Sequence, residues 1–374
     1  MASDVHVYLV PGFFGFDQIG SLSYFQRVTD VLDRALKSKG VDATLFEVAT
    51  QPTSSIRRRA LRLLNVVRSQ GGLDAKHLHF VGHSTGGLDV RLLLTPGVRL
   101  DASTDEEQIG DHARSATLLS TPHFGTPLAN FFTSMNGRYV LYVLTLLATS
   151  APGRVSVYAL AQLMSKLAHY DDILGRRGTA LDHFAERLLK RITHKSDHEI
   201  YDFLRAVASD QGAMIQLTPE AIDLFNAAVA DREATRYVSF VTAAPPPSSE
   251  ALELDPYRLM THLIFRMTYA ISAREHRHYP YPYPGDDIER RLQYELPVPL
   301  SAGTNDGMVP TLSQVWGRLG GVYVGDHLDV VGQFPHRVNG KDSPGWLHSG
   351  ARFSETMFQK LWGDIADVIA RTSR

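Results

Sequence analysis

The segment Leu78-His79-Phe80-Val81-Gly82-His83-Ser84-Thr85-Gly86-Gly87 constrains this chain more than any other. Its apolar start reads as a buried strand. The glycines that flank Ser84 let the backbone turn sharply before a helix begins. Such a corner leaves one serine side chain standing clear at the end of a sheet. Taken alone, Gly-x-Ser-x-Gly is also the pattern of an ordinary strand-to-helix turn. The remainder of the chain has to decide what the serine is for.

Over the first 130 residues, strand and helix signals alternate. Residues 5–10, 41–48, 77–81 and 115–120 read as strands, and 22–39, 54–70 and 86–94 as helices, the first closed by Gly40. Strands separated by helices imply right-handed βαβ units and a mostly parallel sheet with both faces covered. The expected fold class is therefore α/β. From 131 to 212 the pattern becomes helical throughout (138–149, 156–170, 181–192, 199–209), as expected of a cap or lid over the sheet's carboxyl edge. Residues 213–374 return to the core, with a helix over 219–230, strands over 236–241 and 297–301, and an amphipathic closing helix over 353–371. Within this second half, 243–296 reads as a further loop and helix insertion. Its Tyr279-Pro280-Tyr281-Pro282-Tyr283-Pro284 run cannot join a ladder, because proline lacks the N–H. A rigid packed surface loop is the favoured reading there over an aromatic recognition surface.

Composition removes several function classes. A net charge of −2 on 374 residues gives no field that would favour nucleic acid. The absence of cysteine excludes a disulfide framework, a thiolate metal site and a cysteine nucleophile. The apolar run 139–148 is about half the length that spans a bilayer, so no transmembrane segment is expected. No signal peptide is visible before the first strand. The expected compartment is the cytoplasm, or the exterior if a leader has been removed.

A serine hydroxyl is a poor nucleophile unless a base, itself oriented by a carboxylate, takes its proton. In a sheet of this kind the partners follow in the order Ser, Asp or Glu, His. Asp306, in Thr304-Asn305-Asp306-Gly307, and His327, in Gly325-Asp326-His327-Leu328-Asp329, supply that order. Asn-Asp-Gly on its own is ordinary turn chemistry, and His336 and His348 compete with His327. Joint occurrence in order carries the assignment. Two backbone N–H groups are also needed for an oxyanion. Thr85, directly after the serine, and Phe13, between Gly12 and Gly15 after the first strand, are the candidates.

With these segments in place the chain resembles the bacterial triacylglycerol lipases of the Pseudomonas and Burkholderia type, within the α/β-hydrolase superfamily. The matching stretches are Val10-Pro11-Gly12-Phe13-Phe14-Gly15-Phe16-Asp17, Gly82-His83-Ser84-Thr85-Gly86-Gly87, Ser120-Thr121-Pro122-His123-Phe124-Gly125-Thr126-Pro127, Asn305-Asp306-Gly307-Met308-Val309-Pro310 and Asp326-His327-Leu328-Asp329. The chain departs from the family at Pro11, where a histidine is usual, and at Thr85, where glutamine or histidine is usual. The resemblance implies a lipase-type carboxylic ester hydrolase working through an acyl-enzyme on a lipid or other ester, with transient contact at a lipid–water interface. It also implies a structural calcium ion held by Asp329, by Asp286 (or Asp287), and by backbone oxygens of Gln333 and Arg337, a set of hard oxygen ligands suited to that ion. A short-chain carboxylesterase or an acyltransferase would use the same triad. A non-catalytic lipid-binding protein on this scaffold is the alternative from another class.

Overall fold

The computed structural model describes residues 4–13, 18–19, 22–133, 210, 212–247, 256–274, 280–296, 298–338, 341–343 and 345–373. Its spine is a six-stranded sheet. In chain order the elements begin with β1 (Val5–Val10), the short β2 (Gln18–Ile19) and β3 (Leu22–Ser23), α1 (Val28–Ser38), β4 (Thr44–Glu47), α2 (Ile56–Ser69), β5 (His77–His83), α3 (Thr85–Leu94), α4 (Asp105–His112), β6 (Ala113–Leu119) and α5 (Pro127–Thr133). They continue with α6 (Gly212–Gln216), α7 (Pro219–Ala228), β7 (Arg236–Ala243), α8 (Pro256–Ser272), α9 (Asp286–Glu295), β8 (Arg318–Val324), β9 (His336–Val338), β10 (Lys341–Ser343) and α10 (Glu355–Thr372). The large sheet runs β4-β1-β5-β6-β7-β8, and every pairing in it is parallel. This is the mostly parallel, helix-flanked sheet of the α/β-hydrolase fold.

Alternation along β1 shows how the two layers are divided. Val7 and Leu9 face one cluster with Leu32 and Leu36 of α1 and Phe358, Leu361, Trp362 and Ile365 of α10. Tyr8 and Val10 face the other, with Leu63, Leu64 and Val67 of α2 and Val90, Leu93 and Leu94 of α3. In α10 the apolar positions recur at helical spacing, which puts one stripe of the helix on the sheet. Ser55 and Ser354 cap α2 and α10 by accepting from the N–H groups of Arg58 and Met357. Burying both faces explains why these strands read as continuous apolar runs rather than as alternating ones.

Several expectations need correcting. The helix expected from residue 22 begins at Val28, because Leu22–Ser23 pairs with Gln18–Ile19 and Arg27 takes a left-handed conformation. No strand forms among the described residues of 297–301, where Pro299 lacks an N–H. The last strand of the large sheet is instead β8, hidden in the sequence by Gly320-Gly321. A Cβ at Gly320 would meet the rings and methyls of Phe240 and Val238 at about 2.7 Å, so those neighbours take the space a side chain would fill. The helix α4 was not expected at all. Within 243–296, read as a loop and helix insertion, lies the 17-residue helix α8. The helical stretch expected within 131–212 lies outside the described residues, except for 131–133, 210 and 212.

Candidate active site

All the chemistry-bearing segments meet at the carboxyl edge of the sheet. Ser84 follows β5, Pro11–Phe13 follows β1, Thr242 lies near the end of β7, and His327 follows β8. Loops at the carboxyl ends of parallel strands are where such sheets place their ligand sites.

Ser84 stands at the start of α3 with φ 54° and ψ −130°. That strained conformation costs on the order of 1–3 kcal/mol for a residue with a side chain. Packing around the corner enforces it. A Cβ at Gly86 would collide with the carbonyl oxygens of Val10 and Pro11, and one at Gly82 with the backbone of Gly86 and Gly87. The backbone N–H of Ser84 donates to the Leu119 carbonyl at 2.9 Å, tying the turn to β6. A Cβ on Gly12 would strike the Cβ of Ser84, so the loop after β1 lies directly against the serine. Phe13 and Thr85 line the same cavity as Ser84 and His327.

Asp306 and His327 are joined through Oδ2 and Nδ1 at 2.7 Å, both almost wholly buried. The carboxylate is saturated. Its Oδ1 accepts from the N–H groups of Met308 (3.0 Å) and Val309 (2.8 Å). Its Oδ2 also accepts from the Thr242 hydroxyl (2.9 Å) and the Gln314 amide (3.1 Å). The His327 N–H donates back to the Asp306 carbonyl at 2.9 Å. Trp362 steadies the segment from below, its indole N–H donating to the Val330 carbonyl at 3.0 Å. A carboxylate that accepts the Nδ1 proton leaves Nε2 as the imidazole's lone-pair nitrogen, the tautomer a base requires.

The competing histidines are elsewhere engaged. His336 Nδ1 meets the Phe334 carbonyl, and the His348 ring packs edge-on against His262 at 6.1 Å. His123 is buried, bonded to Arg91 and stacked on Trp316 at 5.3 Å, and burial pushes its pKa well down. Three supporting residues escaped the sequence reading: Thr242, Gln314 and Tyr24. His83 was visible only as the unassigned middle of the serine motif. It is fully buried, and burial together with the adjacent His327 holds it neutral.

The expected calcium ligands do not assemble. Asp286 is exposed at the first turn of α9 and bonds the Tyr283 hydroxyl; Asp287, also exposed, pairs with Arg290. Their neighbours Pro282, Tyr283, Pro284 and Ile288 line a groove with Trp316 and Gly317, at the amino end of β8. Asp329 follows the opposite end of that strand, roughly 20 Å along it at about 3.3 Å per residue. The cause is the packing of Ile288 and Leu292 of α9, with Leu296 just after it, against Leu319 and Val322, which carries Asp286 the wrong way. The Gln333 carbonyl already accepts from the Trp346 N–H, and Arg337 sits in the β9–β10 hairpin opposite Asp342. Among the described residues no group of three or more His, Asp or Glu side chains is arranged to hold a metal. Asp329 instead packs against Asp326, whose N–H it accepts, and burial raises both carboxyls, that of Asp326 to about 6.

The cavity that holds Ser84 and His327 is apolar. Leu128, Phe132, Met214, Leu217, Ile264 and Leu347 are among its walls, and no Asp, Glu, Lys or Arg is among its described lining residues. The arrangement can host a neutral acyl chain beside a hydroxyl, an imidazole and a buried carboxylate. No helix among the described residues is long and apolar enough to cross a membrane.

No protein-family model matches the chain, and no curated protein matches it. Solved structures do. EstA from Clostridium botulinum is 18% identical with a TM-score of 0.54, over 100% of this chain and 89% of its own. The lipase of Staphylococcus hyicus is 16% identical with a TM-score of 0.54, over 99% and 96%. Lipase 1 from Pelosinus fermentans is 18% identical with a TM-score of 0.50, over 97% and 99%. The Pseudomonas and Burkholderia type expected from the motifs is not among these three. At such identities the likeness is one of architecture: the described residues share the fold of these bacterial proteins.

Proposed function

We propose that the protein is a serine carboxylic ester hydrolase of lipase type, acting on esters with an apolar acyl group. The observation that carries the reading is the 2.7 Å pairing of His327 with a fully hydrogen-bonded Asp306, in the cavity that Ser84 also lines. Two of the structural neighbours, from Staphylococcus hyicus and Pelosinus fermentans, are lipases, which agrees with it.

In this mechanism the Ser84 hydroxyl oxygen bonds to the ester carbonyl carbon while its proton passes to Nε2 of His327. Asp306 holds the ring and stabilises the imidazolium. The carbonyl electron pair moves onto oxygen, where the N–H groups of Phe13 and Thr85 receive it. Collapse breaks the bond to the alcohol, which leaves with the His327 proton, and Ser84 remains acylated. Water then repeats the sequence, giving the acid and free Ser84.

The neutral, apolar walls favour acyl chains longer than acetyl. The test is hydrolysis of p-nitrophenyl esters from acetyl to palmitoyl by the wild type and Ser84→Ala. Activity on medium or long chains that disappears in Ser84→Ala supports the reading. Activity confined to acetyl and butyryl esters points to a short-chain esterase. Equal inertness of both proteins on every ester overturns the hydrolase reading in favour of a lipid-binding protein.

A further inference from the structure

Between the loop after β1 and the loop after β8 runs a single file of hydrogen bonds. The Gly12 N–H lies 2.8 Å from the Tyr24 hydroxyl oxygen, that hydroxyl lies 2.7 Å from His83 Nδ1, and His83 Nε2 lies 2.9 Å from the His327 carbonyl oxygen. The direction of every bond follows from chemistry. A carbonyl only accepts, so Nε2 carries the proton. The neutral ring then has its lone pair at Nδ1, which accepts from the Tyr24 O–H. The Tyr24 oxygen accepts from Gly12. All three bonds point the same way, from the oxyanion loop to the base, and bonds aligned in this fashion polarise one another. His83 is 0% exposed and Tyr24 6%, Tyr24 bordering the cavity that Ser84 also lines.

We propose that Tyr24 and His83 are a positioning couple that fixes the oxyanion loop and the loop carrying the catalytic base relative to each other. The inference rests on the serine ester hydrolase reading. Its force lies in where the file ends. Gly12 is one residue from Phe13, the proposed oxyanion donor, and the other terminus is the backbone of His327 itself. His83 also precedes Ser84, so the couple ties nucleophile, base and oxyanion loop into one frame. The neutrality of His83, imposed by burial and by its neighbour His327, keeps Nδ1 available as an acceptor. Neither residue is required to touch the reacting atoms. A displacement of about 1 Å in such a frame costs on the order of a hundredfold in rate.

The experiment compares wild type, Ser84→Ala, Tyr24→Phe, His83→Leu, the Tyr24→Phe/His83→Leu double variant and His83→Gln, each checked by thermal melting and assayed on a p-nitrophenyl ester. Tyr24→Phe keeps the ring and its packing and removes only the link. The expected result is a fall in kcat of about a hundredfold in Tyr24→Phe and in His83→Leu, with KM little changed. The double variant should be no slower than the slower single, because either change breaks the same chain. His83→Gln, whose amide can reach the His327 carbonyl, should recover about tenfold of that loss. Purely structural roles would instead give additive losses that track melting temperature and no rescue by glutamine. The proposal is overturned if Tyr24→Phe turns over at close to the wild-type rate, or if the double variant loses the product of the two single effects. Tyr24→Phe carries the test should His83→Leu fail to fold. A fully active Ser84→Ala would sink the underlying hydrolase reading, whereas an inactive Ser84→Ala beside a fully active Tyr24→Phe would sink the couple alone.

Discussion

On the proposed mechanism, replacing Asp306 with asparagine separates what the carboxylate does for catalysis from what it does for folding. The new NH2 group cannot occupy the Oδ1 position, because the N–H groups of Met308 and Val309 both point there. It must take the Oδ2 position and face Thr242, Gln314 and His327. The Thr242 hydroxyl can turn to accept. The Gln314 amide keeps the carbonyls of Thr242 and Val309, each at 3.1 Å, as acceptors. His327 can accept the new N–H only by giving up its Nδ1 proton, which moves the hydrogen to Nε2 and removes the lone pair that should receive the Ser84 proton. The fold therefore loses about 1–3 kcal/mol, the scale of a charge-assisted bond exchanged for a neutral one. Turnover loses far more: the wrong tautomer costs on the order of 10⁴-fold, or about 5.4 kcal/mol at 1.36 kcal/mol per tenfold. Initial rates on a p-nitrophenyl ester and urea unfolding of Asp306→Asn measure the two quantities. A folded variant whose kcat stays within about tenfold of wild type would refute the tautomer argument.

Arg59 and Asp89 form an ion pair that is 0% exposed on both sides, and Arg59 also holds the carbonyls of Pro11 and Gln51. Arg59→Leu should destabilise by about 3–5 kcal/mol through the stranded carboxylate, while Arg59→Leu/Asp89→Leu recovers most of the loss in urea unfolding. An equally unstable double variant would show that packing, not charge, sets the penalty. His79 is buried between the Ser115 and Ser373 hydroxyls, and burial lowers its pKa to about 3. Below about pH 6.5 the unfolded chain takes up a proton that the folded chain refuses, so this residue's contribution to stability is lost as pH falls through that window. Unfolding free energies at pH 7.5 and 5.0 should thus show wild type losing up to about 2 kcal/mol relative to His79→Gln, at roughly 1.4 kcal/mol per pH unit. The raised carboxyls of Asp326 and Asp329 titrate in both proteins and cancel in the difference. Parallel pH profiles for the two proteins would contradict the burial argument.

How much of this was legible in the sequence depends on whether a residue works through its neighbours along the chain. The Ser84 corner was readable because strand, glycines and helix are consecutive. Asp306 and His327 were readable because their order along the chain is itself a signal. β8 was not, since Gly320 and Gly321 owe their identity to Phe240 and Val238 on another strand. Thr242 and Gln314 carry no local mark: a threonine near a strand end and a glutamine in a turn acquire a role only once Asp306 arrives between them. Asp286 failed for a related reason. Its spacing from Asp306 suited a ligand, but the apolar stripe of α9 decides which end of β8 it occupies.

The order of strands across the sheet has one more consequence. The proposed nucleophile rises from β5, deep in the middle, while the proposed base hangs on β8, which has a neighbour on one side only. Sheet margins open at lower free energy than interiors do. On warming, such a molecule would surrender its proton acceptor before it surrendered its serine. Catalytic silence would then arrive while most of the protein was still standing, with the edge strand serving as the fuse.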